Sequence, residues 1–118
     1  RNMVAANTVV CNTVINACEK GTQWRLALDT LRVMEWVLVT ADTITYNSTI
    51  SACEKGGEWS QALYLCSSMR SLKVAADIVS YNATMSACEK TAQWMRVLDI
   101  MRTMDEASMV ADTVTYNT

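Results

Sequence analysis

Asn12, Asn47 and Asn82 stand 35 residues apart (47−12 and 82−47), and Lys20, Lys55 and Lys90 keep the same step (55−20 and 90−55). So do the aliphatic residues Val9, Ile44 and Val79. An Asn amide carries both a donor and an acceptor, which suits the edge of a base. A branched aliphatic side chain can pack against the flat face of an unstacked base, and a lysine sets a positive charge beside a phosphate. The three columns together have the chemistry for single-stranded RNA, whose exposed bases are what sequence-specific proteins read. A fourth column is Asp42, Asp77 and Asp112, with Asn7 one step earlier. Its first reading is as helix N-caps, where a side-chain oxygen accepts from backbone N–H groups that the helix leaves unpaired.

Composition narrows the field. The 118-residue chain is 51% hydrophobic and 19% charged, with a formal net charge of −2. An acidic total argues against generic polyanion binding, whose footprint is a strongly basic surface. It predicts weak non-specific attachment and leaves the local lysine column to meet any phosphate. His is absent, which removes the usual general base and the commonest metal ligand. Cys11, Cys18, Cys53, Cys66 and Cys88 form no C-x-x-C pair, so neither a zinc site nor a redox motif is expected. An odd cysteine count fits a reducing compartment better than a disulfide framework. With no paired carboxylates at a shared site and no Gly-rich phosphate loop, the sequence predicts no enzyme, no cofactor, no metal and no small-molecule substrate. No apolar run reaches the ~20 residues that span a membrane.

The elements that carry these columns follow from the repeat itself. Ala-Cys-Glu-Lys recurs at 17–20, 52–55 and 87–90, and Trp24, Trp59 and Trp94 share the 35-residue step with Tyr46, Tyr81 and Tyr116. Cut after each Asp or Asn, the chain gives three whole units, 8–42, 43–77 and 78–112. Residues 1–7 read as the end of a preceding repeat and 113–118 as the start of a further one, so the chain is expected to be part of a longer array. Tyr46, Thr49, Ile50 and Cys53 recur at i, i+3, i+4, i+7, the stripe of an amphipathic helix. Asp42 precedes that helix and Gly56-Gly57 breaks it. Trp59, Ala62, Leu63, Cys66 and Met69 give a second stripe. The other units repeat both: Cys11, Val14, Ile15, Cys18 with Trp24, Ala27, Leu28, Leu31, Met34, and Tyr81, Thr84, Met85, Cys88 with Trp94, Val97, Leu98, Met101, Met104. The expectation is an all-α fold, an α-solenoid of stacked antiparallel helix pairs. Cysteines and tryptophans on the stripes are expected in its core, and Ala17, Ala52 and Ala87 where neighbouring helices approach closely. On the face opposite the first stripe lie Ile44, Asn47, Ser48, Ser51 and Lys55, so stacking should align the Asn, aliphatic and Lys columns on one concave surface. Glu19, Glu54 and Glu89, next to the lysines, should point ~100° away from them.

The strings Thr45-Tyr46-Asn47-Ser48-Thr49-Ile50 and Val79-Ser80-Tyr81-Asn82-Ala83-Thr84-Met85 resemble the opening of the pentatricopeptide repeat, and the 35-residue period and closing Asp match as well. The resemblance covers essentially the whole chain. The Gly-x-x-Tyr signature of the tetratricopeptide alternative is absent. The resemblance implies a right-handed superhelix that binds single-stranded RNA at one base per repeat, in a chloroplast or mitochondrion, alongside other organellar RNA-processing proteins. It implies base reading by Asn12, Asn47 and Asn82 with the closing Asp42, Asp77 and Asp112, and an Asn–Asp pair implies uridine first and cytidine second. It further implies base sandwiching by Val9, Ile44 and Val79 and phosphate contact by Lys20, Lys55 and Lys90. The family often ends the second helix in Gly and the unit in Pro-Asp. Here Leu38, Lys73 and Ser108 fill the glycine slot, and Ala41, Ala76 and Ala111 precede the Asp, which predicts a looser loop between repeats. The rival function is a protein–protein interaction scaffold. It needs apolar residues on the concave face, where the sequence places Asn, Ser, Thr and Lys.

Overall fold

The computed structural model describes residues 2–106. Among them are six helices and no strand: α1 Asn2–Lys20, α2 Trp24–Trp36, α3 Thr43–Lys55, α4 Trp59–Ser71, α5 Ile78–Lys90 and α6 Trp94–Glu106. They form three hairpin pairs. First helices stack directly on one another, α1 on α3 and α3 on α5, while α2 and α4 each pack on their own partner and on the next first helix, and α6 packs on α5. Second helices scarcely meet each other, so the stack is tight on the first-helix side and splayed on the other. No described helix is long and apolar enough to cross a membrane.

The first-helix stripes are buried as their spacing requires: Tyr46, Thr49, Ile50 and Cys53 in α3, and Tyr81, Thr84, Met85 and Cys88 in α5. Ala52 and Ala87 are fully covered, whereas Ala17 and Val14 in α1 are exposed because no described helix packs on that side. Burial pushes the Cys53 thiol up to about 12 and Cys88 to about 11. These thiols are therefore neutral, inert core groups at ordinary pH.

Two core expectations need correction. In α4 and α6 the covered leucine position shifts: Leu65 and Ile100 are buried, Leu63 is half-buried and Leu98 is 60% exposed. Leu28, at the corresponding place in α2, is covered by the following pair. No pair follows α6 among the described residues, so Leu98 lacks that cover. Nor are Trp24 and Trp59 central core residues; both are half-buried at its rim. They clip one pair to the next. A Cβ on Gly56 would lie 2.4 Å from Trp24 Cδ1, so the indole needs that glycine's bare backbone. The Trp59 ring sits 5.6 Å from the Arg96 guanidinium of α6, in range for a cation–π contact.

The expected loosening between repeats is absent. Leu38 and Lys73 take φ of 62° and 58°, the left-handed conformation that glycine normally supplies. The backbone hydrogen bonds of that motif are intact: Val39 N–H donates to Met34 C=O at 2.8 Å and Val74 N–H to Met69 C=O at 2.8 Å. Met34, Met69 and Val39 are buried behind these turns, so the packing of the apolar pair across each helix end holds the backbone there against the side-chain penalty. The loops are also tied to the preceding first helix. Thr8 Oγ1 donates to Thr40 C=O at 2.9 Å and Thr43 Oγ1 to Ala75 C=O at 2.6 Å.

Candidate nucleic-acid interface

Helices α3 and α5 begin with the same construction. Asp42 Oδ1 accepts the Thr45 amide at 3.0 Å while Thr45 Oγ1 accepts the Asp42 amide at 3.0 Å. Asp77 and Ser80 repeat it at 3.0 and 3.1 Å. This is a capping box, with the third helical residue a hydroxyl in place of the usual Glu or Gln. The counterpart of Thr45 one step earlier is Val10 (45−35), which has no hydroxyl. There α1 runs through Asn7 without a break. The cap role expected for Asp42 and Asp77 is thus realised; Asp112 lies outside the described residues.

The same carboxylates receive the asparagines of the preceding pair. Asn47 Nδ2 donates to Asp77 Oδ1 at 3.1 Å, and Asn12 Nδ2 approaches Asp42 Oδ1 at 3.4 Å. The Ser80 hydroxyl donates to Asn47 Oδ1, and Thr45 Oγ1 to Asn12 Oδ1 at 2.6 Å. Burial works against ionisation of Asp42 and Asp77. The donated bonds from Thr45 and Asn12, and from Ser80 and Asn47, outweigh it and hold both carboxyls below the ordinary carboxylate range. Asn12 and Asn47 are half-buried at the joints between first helices rather than fully open on a surface, and Asn82 is half-buried on α5. Val9, Ile44 and Val79 stand out from the same helices at 64%, 62% and 55% exposure. A column of aliphatic side chains kept in water beside hydrogen-bonding groups is a place for flat, partly apolar ligands.

The lysine column differs from its expectation. Lys55 Nζ meets Glu19 at 2.5 Å, and Lys90 Nζ is hydrogen-bonded to Glu54. The glutamate of one first helix does not point away from the lysines; it reaches the lysine of the next. With a 35-residue period, Glu19 and Lys55 are separated by one repeat plus one residue (55−19), and stacking brings those neighbouring turns together. The pairs are partly solvated, with Lys side chains 41% and 57% exposed, so each contributes little to stability. They do neutralise much of the local charge. Lys20 has no ion pair among the described residues.

Sequence reading missed Thr45 and Ser80, both fully buried, because hydroxyls after an Asp cap read as ordinary first-turn residues. The signal was the Asp-x-x-Thr and Asp-x-x-Ser spacing. Among the described residues, no group of His, Cys, Asp and Glu could hold a metal ion.

A family model described as pentatricopeptide repeat-containing protein matches residues 8–118. No curated protein matches the chain.

Proposed function

Since the chain belongs to the pentatricopeptide repeat family, we propose that it binds single-stranded RNA, one base to each of the units 8–42, 43–77 and 78–112. The observation that carries this is the pairing of Asn12 with Asp42 and of Asn47 with Asp77 across successive joints, beside the exposed Val9 and Ile44. Each joint then offers a base an aliphatic wall and an amide–carboxylate edge with both donor and acceptor character. The 35-residue register assigns Asn82 and Asp112 to the third pair and Val79 to its wall. All three units carry the same reader, so the favoured target is U-U-U, with the parent protein acting in organellar RNA processing, stability or translation in a chloroplast or mitochondrion. The chain is a binder rather than a catalyst in this reading. The scaffold reading draws on a different face: Trp36, Leu38 and Tyr64, on the splayed second helices and their loops, are 87%, 83% and 68% exposed.

Three bases give modest contact, so the test embeds these units in a longer designed array and titrates RNAs bearing U-U-U, A-A-A or G-G-G at the matching register. U-U-U should bind tightest, and Asn47→Thr should move the middle preference toward G. Equal affinity for U-U-U and A-A-A would end the base-reading proposal and leave the Asp column as caps.

The ion pairs make a separate prediction for the lysines. Glu19→Gln with Glu54→Gln should release Lys55 and Lys90 to phosphate, raise affinity for every RNA sequence and steepen the log K against log salt slope by about 1.4 for two phosphates. Lys55→Ala with Lys90→Ala should flatten it. Salt slopes unchanged in both variants would remove the lysines from the phosphate path.

A further inference from the structure

We infer that the buried hydroxyls of Thr45 and Ser80 are positioning residues that fix the direction in which the asparagine of the preceding repeat presents its amide. The inference rests on the base-reading proposal and deepens it.

Each hydroxyl has one proton and two lone pairs. Ser80 Oγ accepts the Asp77 N–H at 3.1 Å. Its own proton has two acceptors in reach, Asn47 Oδ1 and, at 3.1 Å, Asp77 Oδ1. Asp77 Oδ1 already receives the Ser80 amide and the Asn47 amide, so the proton goes to the nearer Asn47 oxygen. Thr45 has the same choice, 2.6 Å to Asn12 Oδ1 against 2.8 Å to Asp42 Oδ1. The asparagine is therefore gripped at two points: its oxygen by the hydroxyl, its nitrogen by the carboxylate. One N–H remains to face a ligand, in a fixed direction. With the carboxylate grip alone, the amide can swing about that single bond, and the outward N–H no longer meets one base edge better than another. Side chains that recognise a ligand need their rotamers locked by supporting contacts of this kind.

The grip crosses the joint. Asn12 belongs to the first pair and Thr45 to the second; Asn47 belongs to the second and Ser80 to the third. A repeat reads with an oriented amide only when the next repeat supplies Ser or Thr as its third helical residue. Val10 shows that the array tolerates a position without the hydroxyl, so Thr45→Val introduces a residue the chain already carries in that register.

The test uses the whole chain, with oligouridylate and oligoadenylate titrated by NMR and the Asn12 and Asn47 side-chain amide signals followed. In the unaltered chain those signals should shift with oligouridylate far more than with oligoadenylate. Thr45→Val with Ser80→Ala should lower the ratio of the two affinities by about fivefold to tenfold, the worth of one hydrogen bond. Thr45→Ser with Ser80→Thr should restore the ratio. A thermal melt in parallel separates the roles: loss of the caps alone lowers the melting temperature and leaves the affinity ratio where it was. An unaltered ratio in Thr45→Val/Ser80→Ala overturns the inference while the base-reading proposal stands. No discrimination in the unaltered chain sinks both.

Discussion

Tyr46→Ala should destabilise the chain by about 3–5 kcal/mol, the range for removing a large aromatic from a packed core. Tyr46 is 1% exposed and sits in the main core cluster beside Leu28, Leu31, Leu65 and Met69. Its ring is thus shared by the first and second pairs. Its hydroxyl donates to Glu35 Oε2 at 3.3 Å, and burial together with that carboxylate pushes the phenol up to about 12. The phenol stays protonated across the working pH range and keeps donating. In a solenoid each pair is stabilised by its neighbours, so damage in the middle pair also uncouples the outer two. The melting temperature should fall by about 10–20 °C, and the transition should broaden as the pairs unfold separately. Tyr64→Ala is the control. Tyr64 is 68% exposed on α4 and should change stability by about 0.5 kcal/mol or less. Equal losses in calorimetry for the two variants would show that the Tyr46 core has been misassigned.

The second large effect runs in the opposite direction. Thr22, Leu38, Lys73 and Ala92 all have positive φ, at 58°, 62°, 58° and 60°, and all four are exposed. Each closes a helix with the bond pattern that Gly57 provides at φ 72°. A side chain in that conformation costs roughly 1–2 kcal/mol from the contact between Cβ and the carbonyl oxygen. Glycine removes the cost but gives back about 0.4–1 kcal/mol through a freer unfolded chain. Replacing all four by Gly should therefore add about 2–4 kcal/mol, with little packing lost because the side chains lie in water. Chemical denaturation should move to higher midpoint with unchanged slope. Gly57→Ala should move it the other way. A lower midpoint in the fourfold glycine variant would mean that these side chains stabilise the turns through contacts their exposure does not suggest.

The sequence lacks glycine and proline at the repeat junctions, which predicts looser helix ends there. The backbone adopts the glycine conformation regardless, because Met34 and Val39 are packed behind the first of these turns and Met69 and Val74 hold the same places at the second. Junction geometry here is dictated by tertiary packing and only eased by residue type.

By itself the sequence determined the helix pairs, their 35-residue stacking and the first-helix core. Those depend on periodicity, and burying an apolar stripe at i, i+3, i+4, i+7 leaves one arrangement that also covers the next stripe. It also placed Asn, Asp and the aliphatic residues in matching columns. Only the tertiary structure decided how the columns meet. Asn47 lies 30 residues from Asp77 and 33 from Ser80, and Glu54 lies 36 from Lys90. Distances of this kind depend on the offset between stacked first helices, which no single repeat encodes. That offset joins the asparagines to the capping aspartates and closes the lysines onto glutamates. It is set by how Ala52 and Ala87 let neighbouring helices approach and by where Trp24 meets Gly56, contacts that exist only once the pairs are packed.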